Sequence, residues 1–244
     1  MSKHASLRLM ALLLFISCSN TSAVKVTRIG NMEDLIKNGN MNTQARLSDY
    51  VSTSHFYAVG IATGLKGYIQ IMDGKPYNSS IVNGNLVIDS SFNQQATLLL
   101  YAEVDDWKEF DLSADIKTWR QLEQFISNQA IKYHVPKNCA SPFLLIGTVA
   151  DARWSVVDWP ANDQPLAYKT MNEAGMHGEI HNEEIKAIGF YSHRSAEVLA
   201  HKETNINIHF LNHDHSIAGR LDDITLDGRL KLLLPKNLVV EKKQ

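Results

Sequence analysis

Between His55 and Val104 the apolar residues come in short runs of β-branched and aromatic side chains, interrupted by glycine and asparagine, which is the texture of an antiparallel sheet. His55 to Met72 reads as strand, turn, strand, and Tyr68-Ile69-Gln70-Ile71-Met72 runs into Asp73-Gly74, a hairpin dipeptide. Asn83-Gly84, set between Ser80-Ile81-Val82 and Leu86-Val87-Ile88, predicts a second hairpin, and Ala96 to Val104 a buried strand. Helical periodicity surfaces twice. Met32 to Lys37 (MEDLIK) predicts a short helix stopped by Asn38-Gly39-Asn40. A longer one starts at Thr118, where Thr118 and Gln121 have capping-box spacing and Leu122, Phe125, Ile126 and Ala130 make an apolar stripe that should lie on a sheet. Strands then resume over Pro142 to Val149, Arg153 to Val157, Glu184 to Tyr191, Asn205 to Leu211, Arg220 to Leu226 and Leu230 to Leu234, with Asp227-Gly228 turning the last pair. The expected class is α+β, with mostly antiparallel or mixed β-sheets and few helices.

Length and composition narrow the function classes. With 244 residues, 44% of them hydrophobic, the chain buries a core as one domain or as two subdomains divided near residues 132–142 (KYHVPKNCASP). Its 24 basic and 26 acidic residues are interspersed and give a formal charge of −2, so no nucleic-acid partner is expected. Residues 1–23 have the build of an export signal: Lys3 and Arg8 precede Leu9-Met10-Ala11-Leu12-Leu13-Leu14-Phe15-Ile16, an apolar core too short to span a bilayer. Two processing routes fit, a cut after Thr21-Ser22-Ala23 or a lipoprotein-type cut before Cys18 that leaves a lipid anchor. The mature part is then residues 24–244, periplasmic, secreted or membrane-anchored. After either cut Cys139 has no thiol partner in its own chain, so no intrachain disulfide is expected, and its surroundings read as those of a buried, inert thiol. Trp107, Trp119, Trp154 and Trp159 are spaced for core or rim packing, and Asn78-Ser79-Ser80 fits a glycosylation acceptor.

The chemistry concentrates in Ile206 to Arg220 (INIHFLNHDHSIAGR). In a strand, Ile206, Ile208 and Phe210 share one face, toward the core, while Asn207 and His209 share the other. A His-x-His strand pairs two imidazoles on one face and is a zinc signal, and here Asn207 takes the first of those positions. His213 and His215 repeat the spacing on an expected hairpin turn, and His177, Glu179 and His181 (HGEIH) do so in what reads as an exposed polar loop.

Three segments in order resemble the α-acetolactate decarboxylases, zinc enzymes that turn 2-acetolactate into acetoin and carbon dioxide. Val59-Gly60-Ile61-Ala62-Thr63-Gly64-Leu65-Lys66-Gly67-Tyr68 with Asp73-Gly74-Lys75-Pro76-Tyr77 is the first, Ile188-Gly189-Phe190-Tyr191 the second, and the histidine stretch the third. The resemblance covers about Val26 to Pro235. It implies an acetolactate-decarboxylase-like fold, a homodimer, and a zinc ion on three histidines with an arginine and glutamates beside it. Position by position, only His209 matches a zinc ligand. Asn207 and Arg220 stand at the other two ligand positions, Tyr68 at a glutamate, and the stretch Asp158-Trp159-Pro160, where the substrate arginine falls, has none. A neutral amide is a weak zinc ligand and a guanidinium repels the ion, so zinc is expected only in an altered site, for example one drawing on His213 and His215 with His209.

Two readings of function follow. In the first, Arg220 replaces the charge of the ion and, with Asn207 and Tyr68, makes a site for small organic acids or an interaction module without catalysis; the competing role for Arg220 is a surface pair with Asp222 or Asp223. In the second, an altered metal site still decarboxylates 2-acetolactate.

Overall fold

The computed structural model describes residues 24–133, 135, 139–160, 166–194 and 204–238. The export signal, both cleavage positions and Cys18 lie outside the described residues. The first sheet is built from β1 (Thr27–Ile29), β2 (Ala45–Arg46), β3 (Phe56–Ala62), β4 (Tyr68–Met72), β5 (Lys75–Pro76), β6 (Asn78–Val82), β7 (Asn85–Asp89) and β8 (Gln95–Glu103). The second holds β9 (Trp107–Asp111), β10 (Ser141–Val156), β11 (Met176–Tyr191), β12 (Ile206–Asn212), β13 (Ala218–Thr225) and β14 (Leu230–Pro235). The helices are α1 (Met32–Asn38), α2 (Trp119–Lys132) and α3 (Tyr168–Glu173). The class is α+β with antiparallel pairing throughout the two sheets.

Both hairpin dipeptides turn where expected, because Asp73 and Gly74 (φ 50° and 71°) and Asn83 and Gly84 (φ 52° and 77°) adopt the left-handed backbone that such turns demand. α1 ends on Gly39 at φ 66°, and α2 opens with both halves of the capping box formed between Thr118 and Gln121. Thr118→Ala should therefore lower stability by about 1 kcal/mol in a urea unfolding titration, with no change in ligand binding.

Seven successive residues of β3 are buried, which period-two alternation allows only if both faces are covered. Tyr57, Val59 and Ile61 join Tyr68 and Met72 of β4 in the large core between the sheets. Phe56 and Ala58 join Ile69 and Ile71 in a smaller core on the far face, closed by Leu47 and by Tyr50, whose ring stacks on Phe56 at 4.9 Å. The chain changes sheets between Glu103 and Trp107.

The second sheet departs from the expected elements. The strands expected at Pro142 to Val149 and Arg153 to Val157 are one strand, β10, and the strand expected from Glu184 starts at Met176. Charged residues along this hairpin alternate outward and face one another across it, Asp151 opposite His181 and Arg153 opposite Glu179. His177, Glu179 and His181 are thus exposed, as expected, but on a strand and not in a loop. Two aromatics on β10 lie across glycines of β11: Phe143 opposite Gly189 and Trp154 opposite Gly178. A Cβ on Gly189 would come within 2.2 Å of the Phe143 ring, and one on Gly178 within 2.5 Å of the Trp154 indole. The glycines make room for the rings, and Trp154 is fixed at the rim of the site described below. β1, β9 and α3 have no counterpart among the expected elements, being short and weakly patterned.

Two smaller expectations also change. Cys139 is exposed and not buried. Asn78 is only 3% exposed and donates Nδ2–H to the Ser91 carbonyl, so the folded chain withholds it from glycosylation.

Candidate functional site

β10, β11, β12 and β13 pair in a closed ring, since β11 bonds both β12 and β10. The ring opens at one end. Pairing between β12 and β13 covers His209 with Arg220, Phe210 with Gly219 and Leu211 with Ala218. From there β13 follows β10, with a bulge between Arg153 and Trp154 that pairs them with Asp223 and Leu221 and leaves Asp222 with no residue opposite. Asp222, two residues from Arg220 on the same strand, shares its face and lies beside it. The parting strands leave a cavity of about 800 Å³ whose lining includes Trp119, Trp154, Asn172, Asn207, Arg220 and Asp222.

Arg220 is held on three sides. Its Nε donates to Asp222 Oδ1 at 2.9 Å, Nη2 donates to the same oxygen, and Nη1 donates to Asn172 Oδ1 at 3.0 Å. The guanidinium carbon lies 5.7 Å from the centre of the Tyr68 ring, a cation–π contact. Of its five N–H groups, three are spoken for among the described residues and two remain on a planar fork whose rotamer these bonds fix. Burial pulls the Arg220 pKa down, but Tyr68 and Asp222 outweigh it and leave the group more firmly protonated than an ordinary arginine.

His209 is 1% exposed, with its ring edge-on to Tyr68 at 5.0 Å. Burial and the Arg220 charge push its pKa down to about 3, against a contact with the Ile69 backbone, so the imidazole is neutral. Its Nδ1 has no hydrogen-bond partner among the described residues. Tyr68 is raised above the usual phenol value by burial, with Arg220 opposing and Asp222 assisting, and stays a neutral phenol. The wall on the α2 side is fastened by a relay: Trp119 Nε1 donates to Thr204 Oγ1 at 3.1 Å, and that hydroxyl donates to Glu123 Oε2 at 2.7 Å. Glu123 Oε1 also accepts from the Asn205 backbone N–H, at 3.0 Å, which ties α2 to the entry of β12.

The structure brings Tyr68, His209 and Arg220 into one contact group and places Asn207 on the lining of the same cavity. The face of β12 that carries Asn207 and His209 is nonetheless not a solvent face: every residue of the strand is buried, because the first sheet covers it through Tyr68. The competing role for Arg220 is met as well: it bonds Asp222, which is an exposed residue of β13, with side-chain exposures of 17% and 26% in the wall of the open cavity. At Asp158-Trp159 a cation does arrive from elsewhere, since Lys66 Nζ donates to Asp158 Oδ1 at 2.8 Å and to the Trp159 carbonyl at 2.6 Å.

His213 and His215 lie apart from His209. The first faces Glu184 at 3.5 Å on the surface and the second packs its ring on Tyr77 at 5.3 Å. No group of three or more histidine, cysteine or acidic side chains among the described residues is arranged to hold a metal. The residues at the implied zinc position do not fit the ion: a single buried imidazole offers one orphaned nitrogen, a neutral amide stands beside it, and a permanent cation faces it from the next strand. Asn172, Trp119 and Trp154 carry no local motif, and only the topology assembles them around Arg220.

Comparison with solved structures decides the fold. A Staphylococcus aureus protein of unknown function, similar to α-acetolactate decarboxylase, superposes with TM-score 0.67 over 85% of this chain and 84% of its own, at 12% identity. The α-acetolactate decarboxylase of Bacillus subtilis strain 168 superposes with TM-score 0.66 over 86% and 85%, at 14% identity. The chain has the acetolactate decarboxylase-like fold. Neither a protein-family model nor a curated protein sequence matches it. At such identity the shared property of the acetolactate decarboxylase-like fold is its architecture, and chemistry has to be argued from the site.

Proposed function

We propose that this is an exported protein of acetolactate decarboxylase-like fold that binds a small organic acid in the Arg220 cavity and does not decarboxylate. The observation that carries the reading is the immobilised guanidinium of Arg220 at the position where the resemblance implies a zinc ligand. Its two uncommitted N–H groups suit the two oxygens of a carboxylate. Asp222, Asn172 and Tyr68 have already fixed the rotamer, so little conformational entropy is lost when a ligand docks. Asn207 supplies an amide that can donate to a hydroxyl or carbonyl next to the carboxylate. Tyr68 is a neutral phenol where the enzymes have an anion, which removes a proton-accepting group from the site.

The test uses the mature protein purified without chelators. The proposal expects substoichiometric zinc, no acetoin from 2-acetolactate, and calorimetric binding of small monocarboxylates. Arg220→Ala should weaken that binding by about a hundredfold, the loss of two charge-assisted hydrogen bonds, and Arg220→Lys should recover only part because the ammonium lacks the fork. One zinc per chain with turnover, or carboxylate affinity unchanged in Arg220→Ala, overturns it.

A further inference from the structure

Asp222 meets Arg220 through a single carboxylate oxygen. Oδ1 accepts both Nε and Nη2, while Oδ2 takes no hydrogen bond among the described residues, and the side chain stays 26% exposed on the cavity wall. The cavity therefore offers a cationic fork with two donors in hand and, hydrogen-bonded to it, a carboxylate with an acceptor in hand. Glu179 on β11 adds a second carboxylate to the same lining, its nearest partner His181 standing at 3.8 Å. The other arginine of the lining, Arg153, is committed to Asp223 at 2.8 Å.

This balance says more about the ligand than an arginine alone would. A free dicarboxylate would set its second charge against Asp222 or Glu179, and a bare monocarboxylate would bring Asp222 Oδ2 no cationic partner. A molecule with an ammonium group next to its carboxylate satisfies both. Because Arg220 and Asp222 are in direct contact, the two charges of the ligand have to be only a few bonds apart, as they are on one α-carbon. Trp119 and Trp154 complete the wall, Trp154 held flat by the glycine at 178, and offer apolar surface to a side chain and π-faces to an ammonium.

We propose that the Arg220 cavity is a site for a free α-amino acid with an apolar side chain, the carboxylate on Arg220 and the ammonium on Asp222. This rests on the reading of Arg220 as the carboxylate donor, and the experiment separates the two. Calorimetry on the mature protein compares L-leucine with isocaproate, the same skeleton without the amine, and with isoamylamine, the same skeleton without the carboxylate. Leucine is expected to bind at least about tenfold more tightly than isocaproate, the contribution of one charge-assisted hydrogen bond, with isoamylamine weakest. Asp222→Asn should bring leucine and isocaproate to similar affinity. Isocaproate binding as well as leucine overturns the amino-acid assignment and leaves acid binding standing; neither molecule binding overturns both. A leucine preference that survives in Asp222→Asn also overturns it. The comparison of ligands on the unaltered protein decides the matter even if the Asp222 variant fails to fold.

Discussion

Combining Asn207→His with Arg220→His is expected to give a protein that purifies with about one zinc ion per chain, against little in the parent. Asn207 and His209 are two residues apart on one face of β12, and Arg220 stands directly opposite His209 on β13, so the double variant would present three imidazoles on a single patch. His209 is already deprotonated and, among the described residues, already has an unpaired nitrogen, which removes two costs of metal binding. Removing the guanidinium also removes the repulsion, and Asp222 left behind adds negative charge. Elemental analysis of the dialysed protein reads the result. Arg220→His alone should load far less zinc, because two imidazoles and an amide do not complete the set. A folded double variant that takes up no zinc would mean that the obstacle lies elsewhere, for instance in the cover that Tyr68 places over His209.

The second large effect is on stability against pH. His209 has a folded-state pKa of about 3 against 6.5 for a free histidine. Well above pH 6.5 neither state is protonated and the residue adds no pH dependence. Below it the unfolded chain takes up a proton that the folded chain refuses, so stability falls as pH falls, by on the order of 4 kcal/mol once the folded pKa is reached. His209→Phe keeps a ring against Tyr68 and cannot titrate. Urea unfolding from about pH 7 down to pH 4 should therefore show a steep loss for the parent and a shallower one for the variant. Parallel curves would place the acid sensitivity in other groups and would show that His209 titrates near its ordinary value.

Particular elements show how far the order of residues can be read. Thr118 and Gln121 announce their helix because a cap is chemistry between neighbours, and Asp73-Gly74 and Asn83-Gly84 announce their turns because positive φ is a property of the residue. The long hairpin of β10 and β11 was obscured for the opposite reason. Asp151, Glu179 and His181 look like loop residues until each is given its cross-strand neighbour. Arg220 and His209 are legible in the sequence as a lone arginine and a strand histidine in one polar stretch, whereas Asn172 on α3 is not legible as anything until α3 docks beside Arg220.

Local chemistry, read straight from the residue order, settled the antiparallel α+β class, the two early hairpins and the capped helix. Interactions between residues far apart in the chain settled the rest: a closed strand ring that parts after His209 and Arg220, a bulge that takes Asp222 out of the ladder with β10, and a first sheet that covers His209 with Tyr68. The division has one physical origin. Turn and cap energies depend on a few consecutive residues, while burial, pKa and the freedom of a donor depend on what the folded chain brings alongside.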